Sequence, residues 1–169
     1  MGPQIKHRAP GKRGQSNEGF SLVELLIVVA IILIIAGIAI PNFIQSKMRA
    51  NEAAAVQNSR NITTAEVVYS TTYGIGFSNG LTPLSGNSAT VDQNNAGLID
   101  DVLASGVKTG YIYTYVVLTT DANGNCTSYS LNADPQTATN GQLHFYTDQS
   151  AVIRSNSAVA AGPSDPPIQ

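Results

Sequence analysis

Tryptophan is absent, cysteine occurs once, histidine occurs twice, and only 12% of the 169 residues are charged. A single thiol, Cys126, rules out an intrachain disulfide, so the C-terminal region must be held by noncovalent means. Cys126 reads as a buried, inert thiol, with a bridge to another chain as the alternative. His7 and His144 are far apart in the chain, and no cysteine pair or helical histidine spacing accompanies them, which excludes the common zinc motifs. No Cys-x-x-Cys-His is present for covalent haem. Serine and threonine are plentiful but lack a partnered base. Asp100 and Asp101 read as a solvated pair on a short helix. Asp121, Asn123 and Asn125 alternate through a glycine-containing turn, but no closing glutamate follows, so a hairpin loop is expected rather than a calcium loop. From residue 20 onward five basic residues face ten acidic ones, a net charge near −5. Phosphate recognition needs clustered Lys and Arg, which excludes strong nucleic-acid binding by charge. The reading is of a chain that is no enzyme and carries no cofactor or metal.

What the chain has instead is a long apolar run. Residues 20–40 are 21 positions with one charge, Glu24, which is enough to cross a bilayer as a helix. A carboxylate inside such a helix costs about 2.5–3.5 kcal/mol near the bilayer centre and less near an end. It therefore needs a partner. No Lys or Arg follows until Lys47, although the helix dipole favours an acid in the first turn. Lys6, Arg8, Lys12 and Arg13 precede the run, and the positive-inside rule puts this leader in the cytoplasm and the remainder across the membrane. An ordinary secretory signal is cut after its apolar core, at small residues, and that core is lost. Here the expected cut lies before the core, which stays on the protein.

The order of these features, a basic leader, then Gly19-Phe20-Ser-Leu-Val-Glu24, then an apolar helix closing with Ala39-Ile40-Pro41-Asn42-Phe43, resembles the N-terminus of the type IV prepilins and pseudopilins. The resemblance covers about residues 12–45; beyond it the agreement is in layout. It implies cleavage between Gly19 and Phe20 by a prepilin peptidase, methylation of the new Phe20 amine, and pairing of Glu24 with the Phe20 amine of a neighbouring copy. It also implies a reservoir in the bacterial inner membrane with the C-terminus periplasmic, an assembly platform and ATPase motor, and a homo-oligomeric helical filament outside the cell. Glu18, acidic beside the cut, departs from the family's more usual basic or neutral residue.

Pro41 removes a backbone donor inside a helical pattern, so a bend is expected between Gly37 and Pro41. Over 41–73 the pattern becomes amphipathic: Ile44, Met48, Ala55, Ile62 and Tyr69 recur at seven- or four-residue steps with Val56, Thr63 and Val67 alongside, while Lys47, Arg49, Glu52, Arg60 and Glu66 decorate other faces. Gly74 supplies the stop. Residues 74–106 read as a helix-to-sheet connection holding a short helix over 96–105, capped by Asn94 or Asn95 and stopped by Gly106. Residues 107–154 read as antiparallel sheet, with strands at 111–119, 127–133, 143–147 and 152–154. The tail 155–169, with three prolines, reads as loose. The expected fold is α+β, a long N-terminal helix on a three- or four-stranded antiparallel sheet in a pilin-like ladle.

Aromatic residues line the second half of the helix and crowd the sheet, where packing is a simpler role than electron conduction. The function read from all this is a structural subunit of a type IV pilus filament. Two alternatives stay open: a pseudopilin of a type II secretion system, and a membrane-anchored binding module that never polymerises. Major or minor rank, and service in twitching motility, cell adhesion or DNA uptake, stay open as well.

Overall fold

Ser21 opens the first helix, α1 (Leu22–Tyr73), which contains Pro41 in its interior. The computed structural model of the chain describes residues 20–86 and 91–168. The leader, Gly19 of the expected cut, and residues 87–90 of the connection lie outside the described residues. The chain divides into two compact units, Met1–Ile40 and Pro41–Gln169. In the first, the described residues are helical from Leu22, and every large apolar side chain from Leu22 to Ile34 is about half exposed or more.

In the second unit α1 buries Ala55, Ile62, Ala65 and Tyr69 against an antiparallel sheet. The helix stops at Tyr73; Gly74 takes φ +66° and donates its N–H to the Ser70 carbonyl at 3.0 Å, a conformation that side-chain-bearing residues avoid. The sheet has five strands in sequential order: β1 (Val107–Lys108), β2 (Tyr111–Thr120), β3 (Cys126–Pro135), β4 (His144–Asp148) and β5 (Arg154–Asn156). β2 and β3 form the long central hairpin, with Tyr113 opposite Ala133 and Tyr115 opposite Leu131, and the register shifts between Val117 and Thr119. Alternation sends Tyr111 and Tyr113 into the core while Ile112, Thr114 and Val116 face out. The fifth strand is β1, two residues long, too short to produce any alternation that periodicity could reveal.

Three local expectations are corrected. The short helix covers only Asp101–Ala104, named α2, and its cap is Asp100, whose Oδ1 accepts from Leu103 N–H at 3.0 Å. Gly97 at φ +65° interrupts any helix beginning at residue 96, and the N–H groups of Asn94 and Asn95 bond Asp92 Oδ1 instead of opening a helix. Residues 96–99 are irregular, with Ala96 N–H on the Pro83 carbonyl and Leu98 N–H on the Leu84 carbonyl, beside a 3-10 turn at Thr82–Leu84.

The tail is not loose. Asp165 accepts from Asn156 Nδ2 at 2.9 Å and from Gly162 N–H at 2.8 Å, and its carbonyl accepts from Arg154 Nη1 at 2.7 Å. Ala161 is buried, its carbonyl bonded to Asn132 Nδ2 at 2.8 Å, and Ile168 N–H bonds the Ile153 carbonyl. Proline lowers the entropy that such a segment loses on being fixed, which favours docking where enough donors are available.

On α1 the expected polar face is wrong at one position: Glu66 is fully buried, and Val67, expected beside the core, is exposed. Positions 55, 59, 62, 66 and 69 follow one another at three- and four-residue steps, so Glu66 lies on the stripe that faces the sheet.

One polar atom in the core is left over. Thr147 is 1% exposed, opposite Leu131 on the inner face of β4, and its hydroxyl has no partner among the described residues. An unpaired buried hydroxyl carries its desolvation cost uncompensated. Thr147→Val keeps the shape and the β-branching, and is expected to raise stability by about 1 kcal/mol; chemical denaturation of the full chain in detergent reads it, and an unchanged or lower midpoint contradicts the expectation.

Candidate functional site

The start of α1 carries two of the expected residues, Phe20 and Glu24, with no bond between them. Phe20 is 85% exposed, and Glu24 Oε2 accepts the Ser21 backbone N–H at 2.9 Å. With Ser21 just before Leu22, Glu24 is the third residue of the helix and reaches back to the residue that opens it, one half of a capping box. The sequence signal was Ser21-Leu-Val-Glu24, a Ser-x-x-Glu spacing that reading Glu24 as a charge in search of a cation passes over. Glu24 thus satisfies one of the helix's orphan donors and adds a negative charge where the dipole favours it.

Beyond this cap α1 is long and apolar enough to cross a membrane, and none of its most apolar stretch is buried within the chain. Gly37 has no atom of the chain near the place where a Cβ would stand, apart from its own helix backbone, so no packing inside the chain requires glycine there. Pro41 lies inside α1.

The other residues singled out in the sequence fall outside any common site. Cys126 is buried, with its thiol 3.4 Å from the Ser128 carbonyl, and burial raises its pKa above the ordinary thiol value. Asp121 Oδ1 accepts from the backbone of Asn123 and Asn125, and Oδ2 accepts the Asn125 side chain, so its lone pairs serve the hairpin turn. The Lys108 ammonium 2.6 Å from Asp100 lowers that carboxyl below its ordinary value. His144 faces Asp134 across β3 and β4 at 2.6 Å. The three tyrosines of β2 pack in or against the core with their hydroxyls paired: Tyr111 to the Leu143 carbonyl, Tyr113 with Asn58 Nδ2, Tyr115 to the Ser78 carbonyl.

Two acids of α1 do work that the sequence reading missed. Glu52 Oε1 accepts the backbone N–H of Gln142 at 2.8 Å and of Leu143 at 3.3 Å, tying the segment before β4 to the helix. Glu66 accepts Ser78 N–H at 2.8 Å from the connection that follows the helix. Their distance in sequence from these donors left no local signal.

Comparison with known proteins points to the N-terminus. Residues 15–40 match the family model described as the prokaryotic N-terminal methylation motif. The chain is similar to the type IV major pilin protein of Myxococcus xanthus, 52% identical over 50 residues, which are 30% of this chain and 23% of that protein. It is also similar to the type IV wide pilus major component of Thermus thermophilus, 54% identical over 35 residues, 21% of this chain and 27% of that protein. The chain therefore spans about a quarter of the length of these two relatives. Against a fimbrial protein of Pseudomonas aeruginosa the match is 34% over 122 residues, 62% of this chain and 79% of the relative.

The cap suggests how to separate two roles of Glu24. Glu24→Gln keeps an oxygen that can accept Ser21 N–H but loses the charge, whereas Glu24→Ala loses both, at a cost of about 1 kcal/mol to the helix start. If charge is what self-association requires, both variants accumulate as membrane-inserted subunits and fail to enter the sheared surface fraction, read by immunoblot. Assembly of the Gln variant at the parental level would leave capping as the role.

Proposed function

The chain belongs to the type IV pilin family, and from that premise we propose that it is a major structural subunit of a type IV pilus filament. The observation that carries the proposal is the first half of α1, apolar on all sides and uncovered by its own chain, with one carboxylate at its start. Such a surface is stable only in a bilayer or against other copies of itself.

In this reading a prepilin peptidase cuts between Gly19 and Phe20, the Phe20 amine is methylated, and the subunit waits in the inner membrane with residues 41–169 on the periplasmic side. An assembly platform and its ATPase motor then lift it into a helical filament whose core is residues 20–40. Lipid contacts are exchanged for dense helix packing. Glu24 pairs with the Phe20 amine of a neighbouring copy, and because a carboxylate left unpaired in a dry core costs several kcal/mol, wrong stagger is rejected. The role is structural rather than catalytic, as in the pilin family.

The first test is intact mass and N-terminal sequencing of the protein in the sheared surface fraction of its native cell. An abundant chain starting at methylated Phe20 is expected. A processed chain confined to the membrane would favour a pseudopilin, and an uncut start at Met1 would sink the filament reading.

Gly37 and Pro41 enter the proposal as the place where the helix yields. Proline inside a helix removes a hydrogen bond and disfavours the helical state by about 3 kcal/mol relative to alanine. Filaments built from Pro41→Ala subunits should extend less under load than parental ones in single-filament pulling; equal extension would remove these residues from the role.

A further inference from the structure

About two turns before α1 ends, an acid is enclosed by its own domain. Glu66 is 0% exposed. Around it stand Ser78 and Gly80 of the connection, Tyr115 of β2, Cys126 and Tyr129 of β3, and Tyr69 one turn further along the helix. Tyr69, Tyr115, Cys126 and Tyr129 are its titratable neighbours among the described residues, and no Lys, Arg or His is among them.

The hydrogens can be counted. Ser78 N–H donates to Glu66 Oε2 at 2.8 Å. The Ser78 hydroxyl lies 2.5 Å from Glu66 Oε1 and 2.7 Å from the Gly80 carbonyl oxygen. A hydroxyl owns one hydrogen, and a carbonyl has none to give. If Glu66 were ionised, two acceptors would compete for that hydrogen, and a charge without a cation would sit in the interior. With a proton on Oε1 every atom is satisfied: the acid donates to Ser78 Oγ, Ser78 Oγ donates to the Gly80 carbonyl, and Ser78 N–H donates to Oε2. The Tyr115 hydroxyl spends its own hydrogen on the Ser78 carbonyl at 2.9 Å and so closes the same connection onto β2.

We propose that Glu66 is carried as a neutral carboxylic acid in the folded domain and acts as an alkali-sensitive latch, releasing residues 77–80 from α1 and β2 when it loses its proton. Burial supports this, because desolvation raises Glu66 above its ordinary value of 4.5. The stability that the latch contributes is complete below 4.5 and is lost as the pH rises through the folded-state value. Tyr69, Tyr115, Tyr129 and Cys126 are all raised above their own ordinary values by burial, so they stay neutral across that interval.

The test is thermal unfolding of the full chain in detergent from pH 5 to pH 8.5, for the parent and for Glu66→Gln, whose amide N–H can replace the acid proton toward Ser78. The parental midpoint should fall by roughly 5 °C or more across the range, while the variant's midpoint stays level and at pH 8.5 equals or exceeds the parent's. Parallel curves, or a parental curve that does not fall, would overturn the latch. Should the variant fail to fold, NMR of the parent labelled at its glutamate carboxyl carbons decides the matter. One carboxyl that stays neutral after the others have ionised supports the proposal, and ionisation of all of them by pH 5.5 refutes it. Neither readout needs a filament to form.

Discussion

Apolar side chains project from every side of the first half of α1, and among the described residues they stay exposed. At about 25 cal/mol for each Å² taken out of water, a surface of that size governs every state the protein can occupy. Water is excluded as its surroundings; lipid and a bundle of like helices are what remain, and in the proposed cycle the subunit passes from one to the other. Residues beyond Pro41 must then fold without help from that segment, because it is committed elsewhere. The division of the chain into two units, with a closed core in the second, answers that demand.

The second unit closes without a covalent staple, and the manner is visible in the helix–sheet contact. Its apolar members are Ala55, Ile62, Ala65 and Tyr69, and beside them stand Asn51, Asn58 and Ser59, all buried. Each polar member is answered: Asn51 Nδ2 by the Asn140 carbonyl, Asn58 by the Tyr113 hydroxyl, Ser59 by the Ala55 carbonyl. Glu52 and Tyr111 add bonds to the segment before β4, and Asp165 gathers the tail. At about 1 kcal/mol net for each hydrogen bond, a handful of them matches the 2–4 kcal/mol typical of a disulfide. They also fix orientation, since an amide or phenol off its partner by one register is a buried orphan. A polar contact of this kind gives up some hydrophobic area in exchange for a single way of docking.

How much of this could be read in the chain depends on the range of the signal. The apolar helix, its end at Gly74 and the β2–β3 hairpin were legible because period and turn chemistry act within a few residues. The opening Ser21-Leu-Val-Glu24 is legible twice, as a family resemblance and as a capping box. Gly97 argues against a helix from residue 96, because a glycine at its second position weakens it. β1 was out of reach, since two residues show no alternation. Glu66 was misplaced because residue type was allowed to outvote position: it falls on the buried stripe by spacing, and what permits the burial is Ser78, which nothing nearby in sequence announces. The tail was misjudged by the same kind of omission, for the donors that hold it belong to β3 and β5.

Glu24 and Glu66 are therefore two solutions to one electrostatic problem on one helix. A carboxylate in apolar surroundings must find a cation, find donors, or keep its proton. Glu24 stands at a helix start, with a backbone donor at hand and one oxygen turned to no group of the described chain, so its charge is available to a partner that only another copy supplies in the proposed filament. Glu66 is enclosed before any partner arrives, with one backbone donor and one serine hydroxyl already engaged by a carbonyl, and the arithmetic of hydrogens favours the neutral form. An exposed acid can drive association between chains. A buried acid that stays neutral can stabilise only its own fold, and a helix that must serve both ends needs one of each.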